Sequence, residues 1–318
     1  ARLGREALRR LGGLVAPDQP GPAPSANAEP WATPTLAALG DLCRRCGLLP
    51  LVGEAVAPPM DGVQELSCAL FDAGRSGSVV ANLRMVLRLA AQLRDRLSPD
   101  SWRIYNRLTE FAEPAEGVPA LGEAMHRLDE SLLSLVTLSG FVIESMPRDV
   151  GWRFLSIGRR IERLQFLAAA LAALLAVPHR GALEALLAVT DGEIRYRSRN
   201  TRGLAARPVA ELVLFDGDNP RALRYQLDSL VEHVARLPDG AGLGAPLQGL
   251  IEELEAAGAC DCLGAFGVEC ASPGAGADCE TIAALLARTW SAGNLLADAI
   301  SQRYFTHLDA RSRATASR

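Results

Sequence analysis

One helical stretch constrains the fold of this chain more than any other feature of its sequence. Residues 151–175 read GWRFLSIGRRIERLQFLAAALAALL, and their apolar residues recur with the period of an α-helix. At about 100° per residue, one face collects Phe154, Ile157, Ile161, Leu164, Ala168, Leu171 and Leu175. The opposite face collects Trp152, Leu155, Arg159, Arg163 and Phe166. A helix that is apolar on two sides is predicted to lie inside a helical bundle.

The same helix carries charged residues in its middle. Arg159 and Arg163 are one turn apart and are expected to project together, while Arg160 is predicted to point elsewhere. A buried guanidinium without a partner is costly, so carboxylates are expected beside the arginines. The candidate partners are Glu144, Asp149 and Glu162. Two interpretations remain open: a closed ion-pair network that joins helices, or an arginine pair partly open to a carboxylate or phosphate from outside.

Composition favours helices throughout the chain. Hydrophobic residues make up 49% of the 318 residues and aromatic residues 5%, with Ala, Leu and Arg dominant and β-branched residues sparse. No stretch alternates with the period of a β-strand. The sequence therefore predicts an all-α fold, a multi-helix bundle of about seven to nine helices with long antiparallel members.

Helix signals also define the predicted organisation of the chain. Residues 1–15 are interpreted as a helix remnant, 16–34 as a Pro-rich linker and 35–310 as one helical domain with a Gly/Ala/Cys-rich insertion at about 238–280. Two helices are expected to begin at Ser98 with Pro99 and at Asn219 with Pro220. The other predicted helices cover 59–72, 77–97, 119–146, 151–175, 180–198, 246–257 and 279–306.

Charge and cysteine content narrow the possible functions. The net charge is −4, which argues against a general nucleic-acid binder. All 33 basic residues are arginines, so an anion site has to use guanidinium or backbone N–H groups rather than a lysine. The apolar run Phe166–Val177 is too short to span a membrane. Seven cysteines without a regular disulfide spacing, and no signal peptide, predict a cytoplasmic protein.

Several ordered motifs resemble the bacterial Alpha-E domain, an α-helical family known for a Glu-Arg motif. The stretch ESMPRDVGWRFLSIGRRIERLQ resembles the family signature, and NLRMVLRLAAQLRDRLSPDSWRIYNRL resembles the Arg-rich helix before it. The segments EIRYRSRN, DNPRALRYQLDSL and ISQRYFTH resemble later family motifs. The resemblance covers roughly residues 60–237 and 280–307. It departs from the family where an expected earlier Glu-Arg helix is missing, which suggests a lost beginning, and where Ser198 replaces an arginine.

The resemblance implies a role through its usual setting. Alpha-E domains typically accompany circularly permuted ATP-grasp ligases, so we expect a non-autonomous partner of a peptide ligase. An interhelical pocket is expected to take an acidic peptide, an acyl intermediate or the ligase itself, without a cofactor, nucleic acid or membrane. The candidate pocket residues are Arg84, Arg88, Glu144, Asp149, Trp152, Arg159, Glu162, Arg163, Tyr196, Arg197 and Arg221.

Two alternatives to a ligase partner remain open. In one, the domain is an enzyme that acts on peptide or amide bonds, with Glu162 as an acid or base tuned by arginines. In the other, the charges are structural and the protein is a scaffold. No glycine-rich phosphate loop or serine nucleophile motif is present, so an autonomous ATPase or hydrolase is not expected.

A metal site is not expected. Glu123 and His126 lack the second Glu-x-x-His pair that a di-metal bundle uses, and all four histidines are expected at the surface or at helix ends. The spacing of Cys260, Cys262, Cys270 and Cys279 fits no common zinc site, so free thiols are predicted there.

Overall fold

The structure, a computed structural model, is all-α in the residues that it describes. These residues are 1–13, 33–50, 61–113, 117–201, 203–259 and 275–305. Thirteen α-helices and no strand occur in these ranges, which confirms the predicted fold class. The helices are α1 (Arg2–Leu11), α2 (Pro34–Arg45), α3 (Gly62–Phe71), α4 (Val79–Gln92), α5 (Pro99–Phe111), α6 (Leu121–Ser145), α7 (Val150–Leu174), α8 (Arg180–Thr190), α9 (Glu193–Arg199), α10 (Ala206–Ala210), α11 (Leu223–Ala235), α12 (Ala245–Ala259) and α13 (Ala275–Tyr304).

The chain divides into two compact units. The first contains Ala1–Met146 and His179–Val189, and the second contains Pro147–Pro178 and Thr190–Arg318. In the first unit, α1 packs against α2, α3 and α6, while α5 packs against α4 and α6. Leucines from these helices form its core, and those fully buried are Leu8, Leu39, Leu42, Leu66, Leu70, Leu108 and Leu128.

Helix α7 is the centre of the second unit. It packs against α13 and α11, and α12 packs against both of these helices. The predicted apolar stripe is confirmed, because all its members are buried except Phe154, which is half-buried. The α7 helix also has a well-formed start, where the Asp149 carboxylate accepts a hydrogen bond from the backbone N–H of Trp152 at 2.9 Å.

The cap predicted at the start of α5 is confirmed. Ser98 caps α5 by accepting a hydrogen bond from the N–H of Ser101 at 3.1 Å, with Pro99 in the first turn as expected. A second cap was missed, since Thr33 accepts from the N–H of Leu36 at the start of α2. The structure also has more helices in its described part than the seven to nine expected, because several are short.

Two other predicted boundaries are wrong. The single helix expected over 180–198 is two helices, α8 and α9, because Asp191 adopts a positive φ of 61° and ends the first one. Helix α11 begins at Leu223 rather than beside Asn219. The Asn219 side chain instead stabilises the preceding turn, where it accepts from the N–H of Arg221 and donates to the carbonyl of Leu212. The expected linker lies mostly outside the described residues, as does the Cys-rich part of the expected insertion.

Candidate functional site

The most unusual group of polar residues in the second unit lies where α7 packs against α11. Arg160 contacts α11 near the start of that helix, and Trp152 contacts it near the end. The two helices therefore run antiparallel along this contact. We call this group the α7–α11 arginine cluster, and its members are Trp152, Arg153, Arg160, Tyr225, Gln226 and His233.

Arg160 is held at one end of the cluster by two residues of α11. Its guanidinium carbon lies 5.1 Å from the centroid of the Tyr225 ring, a cation–π distance. Its Nη1 donates to Oε1 of Gln226 at 3.2 Å, and the Gln226 Nε2 donates to the carbonyl of Pro220 at 2.6 Å. Gln226 is fully buried, so the amide that orients Arg160 is itself fixed.

Trp152 and His233 form the other end of the cluster. Their ring centroids are 5.1 Å apart at an interplanar angle of 78°, an edge-to-face arrangement. The Arg148 guanidinium lies 4.4 Å from the centroid of the Trp152 ring. The indole is therefore packed between a cation and the imidazole, and His233 is only 7% exposed.

The cluster contains buried polar atoms that no described residue satisfies. These atoms are Trp152 Nε1, Arg153 Nη1, Arg160 Nε and His233 Nδ1. In the described part of the chain, neither Arg153 nor Arg160 forms an ion pair with a carboxylate. Buried hydrogen-bonding groups are nearly always satisfied in native proteins, so several such atoms in one place need an explanation.

The environment of His233 is electropositive. Burial lowers the pKa of His233 below its ordinary value, and the charge of Arg160 lowers it further. Glu232 opposes this effect on the His233 pKa, whereas Arg153 and Arg236 add to it. The imidazole is therefore held in its neutral form at neutral pH, and the guanidinium groups carry the charge of the cluster.

The acidic residues expected beside the α7 arginines have other environments. Glu144 and Glu162 are exposed and form no ion pair with another described residue. The Asp149 carboxylate is used as the cap of α7. Arg159 and Arg163 are half-buried, and each interacts with another group. The expected pairing of these arginines with Glu144, Asp149 or Glu162 is therefore not found.

Three further candidates in the second unit have partners of their own. The Tyr196 hydroxyl donates to the carbonyl of Gly203 at 2.9 Å and accepts from the N–H of Ala205 at 3.0 Å. This buried side chain therefore stabilises the segment between α9 and α10. Arg197 is exposed and pairs with Glu193 one turn away. Arg221 pairs with Asp191 at 3.0 Å.

Arg84, Arg88 and Glu144 belong to the first unit, whereas the other eight candidates belong to the second. Arg84 is half-buried, and its Nε donates to the carbonyl of Ala112 at 2.9 Å, the residue that ends α5. Arg88 is exposed, and its Nη2 lies 3.7 Å from the sulfur of Met85. Arg84 therefore stabilises a helix end, an ordinary structural role for an arginine.

Sequence reasoning missed the central members of the cluster. Arg160 was expected only to point away from Arg159 and Arg163, and its contact with α11 was not predicted. His233 lies in the last turn of α11, a helix end as expected, but its packing against Trp152 was not predicted. Two signals were available. Arg153 and Arg160 are seven residues apart, which places them on one helix face, and Tyr225 and His233 are eight apart on the next long helix.

The other histidines and the cysteines add no second site. His126 is exposed, His179 accepts from the N–H of Gly181 at the start of α8, and His307 lies outside the described residues. Burial raises the pKa of the Cys43 thiol to about 12, so this cysteine is inert. No group of three or more potential metal ligands occurs within the described ranges, which exclude the side chains of Cys260, Cys262, Cys270 and Cys279.

None of the described helices is long and apolar enough to cross a bilayer.

Comparison with known proteins assigns the chain to a family. The model of the Alpha-E family, described as "A predicted alpha-helical domain with a conserved ER motif", matches residues 1–305. Similar proteins are the uncharacterized proteins Mb2597 of Mycobacterium bovis and MT2643 and Rv2567 of Mycobacterium tuberculosis. Each is 36% identical over 193 residues, which are 58% of this chain and 22% of the relative, so the match spans about a fifth of their length. No solved structure matches the chain. Because the family model matches nearly the whole chain, this protein belongs to the Alpha-E family.

Proposed function

We propose that this Alpha-E domain is a helical partner of an ATP-grasp peptide ligase and binds an acidic peptide or intermediate through arginines of its second unit. The ligase in this proposal comes from the family resemblance. The binding function rests on one observation, the unsatisfied N–H groups of Arg153 and Arg160 where α7 meets α11. Guanidinium groups bind carboxylates strongly and keep their charge at every physiological pH, so they suit this role.

Other partly buried arginines of the second unit differ from Arg153 and Arg160 in their pairing with carboxylates, and this difference supports a binding role. Arg221 pairs with Asp191 at 3.0 Å. Arg224 contacts both Asp228 and Glu255, at 2.8 and 2.7 Å. These arginines have carboxylate partners, as structural arginines usually do. Arg153 and Arg160 differ from them, because no described carboxylate pairs with either group.

The enzymatic alternative receives less support. It requires that neighbouring arginines tune Glu162 as an acid or base. Glu162 is exposed, and no arginine of the described residues forms an ion pair with it. A binding function needs no such arrangement, so we retain it.

Co-purification tests the proposal directly. We would co-express the chain with an ATP-grasp ligase encoded beside it, and measure both complex formation and ligated product. The wild-type chain is expected to co-purify with the ligase and to increase product formation. Arg160→Gln is expected to reduce that increase, since it removes the charge and the bidentate guanidinium group and leaves a shorter, neutral polar side chain.

Arg207→Gln is the matched control. Arg207 lies on α10, is exposed and pairs with Glu211 at 3.0 Å, so its removal makes the same change of charge away from the cluster. This variant is expected to behave like wild type. If the wild-type chain neither associates with the ligase nor changes its product, the proposed function is wrong.

A further inference from the structure

We propose that the α7–α11 arginine cluster is a binding site for one oxyanion group, a carboxylate or a phosphate. The site deepens the proposed function, on which its biological meaning rests, because it names the chemical group that the partner would present. Its existence is nevertheless a property of this chain alone. It is therefore testable without any ligase.

The first argument is the number and type of unsatisfied atoms. Trp152 Nε1, Arg153 Nη1 and Arg160 Nε are all hydrogen-bond donors, and each is buried without an acceptor in the described structure. An unsatisfied buried donor costs about 1–3 kcal/mol, and a charged one costs more. A bound oxyanion brings several acceptor lone pairs and supplies the kind of partner that each of these donors lacks.

The second argument is the spacing of the cluster on its two helices. Trp152 and Arg160 are eight residues apart, as are Tyr225 and His233, and each interval spans about 12 Å along a helix. The Trp152–His233 and Arg160–Tyr225 contacts therefore join α7 and α11 at the two ends of the same stretch.

The third argument is the sign of the local charge. The charges of Arg160 and Arg153 on α7 both lower the pKa of the His233 imidazole. The other charged groups that affect His233 are Glu232 and Arg236 of α11. Three positive charges against one negative charge favour an anion. A cation is disfavoured at such a place, because positive charges outnumber the one carboxylate.

The site is tested by binding measurements on the purified chain. The probes are glutarate, which supplies carboxylates, and inorganic phosphate, both at constant ionic strength against sodium chloride. Calorimetry is expected to show saturable binding of one equivalent, and the indole N–H resonance of Trp152, assigned with Trp152→Phe, is expected to shift. Tighter binding of glutarate identifies a carboxylate site, and tighter binding of phosphate identifies a phosphate site.

Three variants connect the binding to the cluster. Arg153→Gln and Arg160→Gln are each expected to weaken binding about tenfold or more, because each removes a charge-assisted hydrogen bond. Trp152→Phe keeps an aromatic ring but removes the indole N–H, so it is expected to weaken binding several-fold even if an arginine variant folds poorly. Arg207→Gln is expected to bind like wild type.

Two results overturn the site: no saturable binding of either probe, or equal binding by wild type and all cluster variants that fold. These results are distinguishable from failure of the proposed function. Ligase association without probe binding removes only the oxyanion site. Probe binding without ligase association removes only the ligase partnership.

Discussion

A single arginine can be structural or functional, and its partners decide which. In the second unit, Arg224 contacts two carboxylates, while Arg153 contacts none among the described residues. The two residues are both half-buried, so burial alone does not distinguish them. Because desolvation penalises a guanidinium unless partners compensate it, the unpaired one costs stability in the absence of a ligand.

Arg153→Met therefore has an unusual expected effect on stability. The substitution keeps an unbranched but shorter apolar side chain and removes a charge without a carboxylate partner, so the free energy of unfolding should stay unchanged or rise by up to ~1 kcal/mol. Arg224→Met, the matched comparison, breaks two ion pairs and should lower it by ~1–2 kcal/mol. Urea denaturation without added anions measures both values. An equal loss in the two variants would mean that Arg153 is structurally paired.

His233 gives the protein a predictable dependence on pH. Burial and the charge of Arg160 lower the pKa of His233 in the folded state, so the unfolded chain takes up a proton more readily. The contribution of His233 to stability is therefore fully present above the pKa of about 6.5 that it has in the unfolded chain. This contribution is lost as the pH falls through the lowered pKa of the folded state.

His233→Gln should remove this part of the pH dependence. Denaturant unfolding between pH 8 and pH 5 is expected to show a shallower loss of stability in His233→Gln than in wild type. His126→Gln is the control, because it makes the same substitution at a histidine that is exposed on α6. Parallel curves for all three proteins would contradict the role given to His233.

At the scale of a helix, the sequence predicts features that depend on the residues of that helix alone, and not its contacts with other helices. The buried stripe of α7 follows from its own periodicity, and the Ser98 cap follows from a local pattern, so both were predicted correctly. The contact of Arg160 with α11 was not predicted, because a helical wheel locates a residue only relative to the apolar stripe of its own helix. It does not reveal that α11 lies along one side of α7 and α13 along another. The break at Asp191 was missed although aspartate tolerates a positive φ and Asp191-Gly192 is a turn signal.

Helix α7 depends on its cap as well as on its stripe. Asp149→Ala removes the side-chain acceptor of the Trp152 N–H, and it should lower the free energy of unfolding by about 1 kcal/mol. Asp149→Asn should retain most of the stability, because asparagine is an equally good cap without the charge. Thermal unfolding of the two variants measures the difference. A loss as large in Asp149→Asn as in Asp149→Ala would show that Asp149 acts through its charge.

For the whole molecule, the local charge of the cluster contrasts with a net charge of −4. Exposed charges are screened over about 8 Å at physiological ionic strength, so an acidic chain does not attract polyanions from a distance. A partly buried positive cluster acts differently, since it selects one anionic group at contact range. This combination suits recognition of a defined acidic group and not general binding of nucleic acid.

Binding one anion should therefore protect one part of the molecule. A ligand that binds only the folded state stabilises it by about 2.7 kcal/mol at a hundred times its Kd. Hydrogen exchange followed by mass spectrometry should then show slower exchange in peptides from α7 and α11 when the tighter-binding probe is added. Peptides from α1 to α3, which belong to the first unit, should change little, and Arg160→Gln should abolish the effect. Uniform protection of both units, retained in Arg160→Gln, would instead indicate a general salt effect, because a specific site acts first on the helices that hold it.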